Sequence, residues 1–193
     1  EACTRQPFAD YVQRELLAPL GLDPADLGYT LDPSAAAHGY LEKWSLLNLA
    51  KRLVLDAEYI GAYEGAWLAI RPHYVNGPAF GGLIGTTGAF GTWLQDLLGE
   101  SRTLPGSARA WLFEQQSLAS GAPVPMTLGW HIGAHAATRH YFKEGGGGGF
   151  HSMMRLYPEH GFASVIIGNA TGFRAGKALD DIDPLSLAAL TNA

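Results

Sequence analysis

Cysteine is almost missing: Cys3 is the single one in 193 residues, which excludes an internal disulfide framework and leaves the redox compartment open. Long hydrophobic runs are missing too. No apolar stretch approaches the roughly 18 to 20 residues that span a bilayer, so no membrane span is expected. Positive charge is scarce. Lys and Arg number 13 against 18 Asp and Glu, a net charge of −5, and no basic stripe appears, which argues against a nucleic-acid partner. Charged residues make up only 16% and hydrophobic ones 47%, a globular balance rather than a disordered one. No internal repeat stands out. What is abundant is glycine, 25 residues, concentrated in 77–91 and 145–149.

The chain opens on EACTRQPFADYVQRELLAPLGL, helix-like from the start with no cap before it. Phe8, Tyr11, Val12, Leu16 and Leu17 recur at helical spacing, and Pro19 with Gly21 ends the run. This reads as a domain entered part-way, so a C-terminal fragment is expected. Residues 22–40 carry turn residues and read as a long surface segment. Residues 41–56 read as a helix with Trp44, Leu47, Leu49 and Val54 among its buried positions. Residues 57–80 are irregular. Thr86 is a candidate N-cap for a helix bearing Phe90, Trp93, Leu94, Leu97 and Leu98, and 106–117 suggests another. Beyond Pro125 the character changes. Segments 127–134, 138–144, 149–157 and 162–169 are β-branched and aromatic, divided by Gly, Pro or polar residues, as in an antiparallel meander. A last helix is expected near Asp183 with Pro184 at its first position. Helices first and an antiparallel sheet with a closing helix last make an α+β layout, a mainly helical and loop part over 1–125 and a strand part over 126–193.

The chemistry-bearing stretch is RHYFKEGGGGGFHSMMRLYP, residues 139–158. Strand alternation puts Lys143 and Gly145 on one side, a cation beside bare backbone. A substrate could lie there, and the next amide, at Gly146, could donate to a developing oxyanion. The following glycines allow a tight reversal into the strand from Phe150. Taken locally, the same residues also fit a solvated glycine-rich hairpin tip.

Six segments in order carry a resemblance. They are PFADYVQRELLAPLGL, AAHGY (36–40), GPAFGGLIGTTGAFGTWLQDLLGE (77–100), LGWHIG (128–133), KEGGGGGF (143–150) and GFASVIIGNATG (161–172). Together they resemble the C-terminal half of the serine β-lactamase-like family, which includes class C β-lactamases, D-alanyl-D-alanine carboxypeptidases and related esterases. The resemblance implies a β-lactamase/DD-peptidase fold, no cofactor and acyl transfer to a serine on a small ester, amide or β-lactam substrate. It implies that KEG (143–145) stands where the family has K-T-G or H-x-G. Lys143 and Gly146 would then serve catalysis, and Glu144, Gly145, Gly147 and His151 would lie beside the substrate.

The family's first two elements are not found in their places. No S-x-x-K occurs; Ser152-Met-Met-Arg155 is nearest, but Arg stays protonated and a strand puts positions three apart on opposite faces. No G-x-S-x-G occurs either. The sole Y-x-N, Tyr74-Val75-Asn76, comes later than the family's catalytic tyrosine and reads as a decoy. The nucleophile is therefore expected on a missing N-terminal half, with the chain inactive alone. An unpartnered sheet edge would favour self-association. Glu144 replaces the family's Thr or Ser; pointing into the cleft, about 5 Å from a substrate carboxylate, it would cost on the order of 3 kcal/mol, while pointing away it would only pair with a surface cation. Poor turnover of classical β-lactams is expected. Ala89 stands where the family has Asp, losing one capping-box bond. His131 and His135 sit on a strand about 13 Å apart, too far for one metal ion. His38 is read as structural and the five tryptophans as core or cleft wall. No G-K-[ST] follows the glycine run, so it is not a nucleotide loop. The alternative is a non-catalytic binding or scaffolding module that keeps the glycine-lined groove.

Overall fold

The computed structural model describes residues 1–74, 77–79, 81–135 and 138–191, without the side chains of Arg52 and Val54. The chain is α+β. Helix α1 (Phe8–Val12) runs on through one π turn, Gln13–Leu17, and one 3-10 turn, Ala18–Leu20. It stops at Gly21, whose φ of 77° is the left-handed cap that glycine tolerates best. Its buried side, Val12, Leu17 and Leu20, packs with Leu22, Leu27, Ala89 and Phe90.

The segment 22–40 is more structured than its turn residues suggest. Leu22 and Leu27 are buried. Strand β1 (Leu27–Gly28) pairs antiparallel with β5 (Ile84–Gly85), and β2 (Gly39–Glu42) begins a three-stranded sheet with β3 (Ile60–Glu64) and β4 (Trp67–Ile70) in the order β2-β4-β3. Residues 57–80, expected to be irregular, thus hold a hairpin. The expected helix over 41–56 is shortened from its front: α2 spans Leu46–Val54, capped by the Ser45 hydroxyl, which accepts from the Asn48 amide. Its leucines are not buried; they face solvent.

Helix α3 (Thr87–Leu98) starts where expected, with Thr86 Oγ1 accepting from Ala89 N at 3.1 Å. Ala89 itself is buried, so an aspartate there would lose its hydration. Helix α4 (Gly106–Phe113) ends four residues earlier than expected. The main sheet is the meander β6 (His131–His135), β7 (Thr138–Gly147), β8 (Phe150–Tyr157) and β9 (Phe162–Gly168), each antiparallel to the next. One face, with Tyr141, Met154, Leu156, Val165 and Ile167, lies against α3 and the first helix. The other, with Phe142, Met153 and Ile166, receives Ala175 and Leu179 of α5 (Ala175–Thr191).

Helix α5 begins eight residues before Asp183, and Pro184 lies inside it. The missing proline N–H removes one helical bond. A largely buried network ties this part of the helix to β8. Arg155 reaches Asp180 at 2.7 Å, the Gly176 carbonyl at 3.0 Å and Asp183 at 3.4 Å, while the Tyr157 hydroxyl donates to Asp183 at 2.7 Å. Burial and that carboxylate push the Tyr157 phenol up to about 12.

Candidate active site

β7 and β8 keep one continuous register from Tyr141↔Leu156 to Gly147↔Phe150, so no bulge interrupts the alternation. Lys143 and Gly145 therefore share the face of Tyr141, the side on which α3 and the first helix pack. β6 pairs with β7 only as far as Phe142. From Lys143 to Gly147 the outer edge of β7 has no strand beside it among the described residues. Lys143 is exposed and makes no hydrogen bond or ion pair among those residues, so its cation is not committed to a structural partner.

Glu144 and His151 lie on the opposite, α5 face. His151 Nε2 is 2.7 Å from Glu144 Oε1, and its Nδ1 contacts the Phe173 carbonyl. The Ala175 amide also approaches Nδ1, at 3.5 Å, so that nitrogen lies between a carbonyl and an N–H, while Nε2 faces the carboxylate. The Phe173 carbonyl first, and then Glu144, raise the His151 pKa above its ordinary value. The structure thus separates the expected site residues: Lys143 and Gly145 on one face, Glu144 with His151 on the other. Held there, Glu144 sets no negative charge on the Lys143 face.

Four of the five glycines fall into two groups, and Gly147, with φ +142° and open space where a Cβ would be, stands between them. A Cβ on Gly149, where φ is +86°, would lie 2.4 Å from Tyr40 N, and one on Gly39 would overlap the Gly148 carbonyl. Gly148 (φ +57°) also sits beneath the His73 ring. These positions are required by the close approach of the turn to β2, whose Tyr40 N–H donates to the Gly149 and Asn169 carbonyls. Gly145 and Gly146 are different. A Cβ on Gly146 would meet nothing nearer than 3.6 Å, and one on Gly145 would displace only the Ser152 hydroxyl.

Beyond the end of β7 lies a cavity of about 480 Å³, bounded by Gly147–Gly149, Leu41, Leu55, Tyr59, His73 and Tyr74. His73 stacks on Tyr59, with ring centroids 4.8 Å apart. Tyr74, set aside in the sequence, therefore shares a cavity with the glycine turn; Val75 and Asn76 lie outside the described residues. Sequence reasoning missed this cavity, and the one signal for it was the aromatic pair His73-Tyr74 just ahead of GPAFGG. Ser152 and Arg155 fall on opposite faces of β8, Ser152 near the Gly145 carbonyl and Arg155 in the α5 network. His131 stacks on Phe142 and His135 faces Asp180, so they share no ligand.

The strand with its unpaired lysine, the glycine turn and the α3 cap all lie within residues 1–188, which the family model for beta-lactamase matches. The chain belongs to the beta-lactamase family. A solved structure titled "Crystal structure of SurE" superposes with a TM-score of 0.60 at 19% identity, over 98% of this chain and 42% of that one. At that identity the likeness speaks for the fold alone, and this chain of the beta-lactamase family spans less than half of the chain it matches. Comparison with the curated proteins gives no match.

Proposed function

We propose that this chain is the C-terminal part of a serine hydrolase that forms an acyl-enzyme from an ester, amide or β-lactam substrate. The nucleophile and its lysine base, the S-x-x-K element, would come from an upstream segment. The observation that carries the reading is Lys143: an uncommitted cation on the helix-side face of β7, where that strand's outer edge is open. A substrate laid along this edge would meet the ammonium at one end and bare backbone at Gly145. The amide of Gly146 would serve as one oxyanion donor, the serine's own amide as the other. Lys143 would favour the ionised forms of groups around it, the alkoxide among them.

Removing such an electrostatic contact should lower kcat/KM by about 10²-fold in the polypeptide that carries S-x-x-K. Lys143→Ala kinetics with a chromogenic ester make the test; unchanged turnover would remove Lys143 from the site. The absence of S-x-x-K from this chain favours a second reading, a binding module that keeps the groove. An upstream sequence without S-x-x-K would put that reading ahead.

A further inference from the structure

The turn that ends β7 is one wall of a cavity that the proposed chemistry has not used. The cavity holds about 480 Å³, a size usual for small-molecule sites, and Gly147–Gly149, the residues directly after Gly146, line it. Tyr59 and His73 line it too, their rings stacked at 26° with centroids 4.8 Å apart. His73 Nδ1 donates to the Arg71 carbonyl at 3.0 Å, and the Cε1–Nε2 edge of the ring lies nearest Gly148. Leu41, Leu55 and the half-exposed Leu47 add apolar surface. Stacked rings beside bare glycine backbone suit a flat aromatic group, which gains from ring contacts and needs a wall without side chains.

The strand direction says which end of a substrate enters. β7 runs from Lys143 past the Gly146 amide to the cavity. An ammonium favours the negative charge that builds on a departing oxygen, so the leaving group belongs at the Lys143 end. With the reacting carbonyl at the Gly146 amide, the acyl group then points past Gly147 toward the cavity. Anions are not matched there. No Lys or Arg lines the cavity among the described residues, and Asp56 does, with no hydrogen bond or ion pair to its carboxylate among them. The nearby Lys51 ammonium is turned to Asn48, and the Arg71 guanidinium to the Glu58 carbonyl.

We propose that this cavity takes the acyl group of the substrate, and that the group is aromatic and uncharged, its ring against Tyr59, His73 and the glycine backbone. The proposal rests on the hydrolase reading for the end of the substrate that enters. Binding of the ring by the cavity is measurable without turnover.

The first measurement is an NMR titration of the 193-residue chain with phenylpropionamide, propionamide and succinamate, read at the Gly147–Gly149 amides. Phenylpropionamide should shift those signals and saturate, with the other two about tenfold weaker or more. No shift there, or equal binding of propionamide, overturns the proposal. The second measurement uses a polypeptide that also carries S-x-x-K, with nitrophenyl esters of the three corresponding acids, so that the leaving group is constant. The value of kcat/KM should be about tenfold or more higher for phenylpropionyl than for propionyl, and lowest for hemisuccinyl. Asp56→Asn should raise the hemisuccinyl value about fourfold relative to the phenylpropionyl value, as loss of one charge repulsion about 5 Å away in water predicts. Similar turnover of all three esters overturns the proposal and keeps the hydrolase reading. No turnover of any ester, with phenylpropionamide still bound at Gly147–Gly149, overturns the hydrolase reading and the acyl assignment together.

Discussion

At the scale of single residues, the glycine run separates fold from chemistry. Gly149→Ala would force a side chain into the β2 backbone at a positive φ and should destabilise by about 3 kcal/mol. Gly146→Ala should leave stability within about 1 kcal/mol, because its Cβ would meet only ordinary contacts. Urea denaturation of both variants checks the contrast; equal losses would refute it. If Gly146→Ala then loses turnover in the S-x-x-K polypeptide, the loss belongs to the site. His151 gives a pH signature. Its folded pKa is raised, so its contribution to stability is complete below about pH 6.5, its unfolded value, and is lost as pH rises through the folded pKa. The stability gap between the chain and His151→Gln should therefore shrink above about pH 6.5. His140, held down by burial and then by Arg155, acts in the opposite direction, and comparison with the single variant cancels it. A gap independent of pH would mean that His151 is not charged in the fold. The alternation that puts Glu144 on the far face was legible in the sequence, and its partner was not. Pairing 144 with 151 needs the hairpin register, which only the turn geometry at 147–149 fixes.

At the scale of elements, local signals were read well and long-range ones were not. Thr86 as a cap, Gly21 as a stop and the four-strand meander follow from nearby residues. Strands β1 and β2 escaped because their partners, β5 and β4, lie tens of residues away, and two to four residues of pattern carry little periodicity. The start of α5 escaped because Pro184 reads as a first-turn residue, whereas Arg155 and Tyr157 on β8 hold the helix in place around it. Arg155→Met should cost about 3–5 kcal/mol, because Asp183, 1% exposed, would be left as a buried charge without its cation. Thermal or urea unfolding measures it. A loss below about 1 kcal/mol would mean the network contributes little. The leucine pattern of α2 was legible as amphipathic and misread in direction, since periodicity cannot say which face turns inward.

At the scale of the whole molecule, the sheet is open on two edges. The outer edge of β9 carries no strand among the described residues, the bridge from Tyr40 to Ala170 lying just past its end, and β7 is open past Phe142. Exposed edges tend to acquire partners. An upstream strand on β9 would complete the sheet, and the catalytic serine would then approach the Lys143 face from the helix side. Without such a segment, the chain should self-associate through that edge, which sedimentation velocity reads directly. The family was visible in the resemblance of six short segments, and the α+β fold in the order of helix-like and strand-like stretches. The cavity beside Tyr74 was not, since its walls come from five separate stretches of chain.

The proposed serine nucleophile would be supplied by an upstream segment and would work with Lys143. The most direct measurement is reaction with a fluorophosphonate probe, read on a denaturing gel. The expected result is no label on this 20.6 kDa chain and label on a polypeptide that also carries S-x-x-K, slowed by Lys143→Ala. Labelling of the 193-residue chain itself would contradict it.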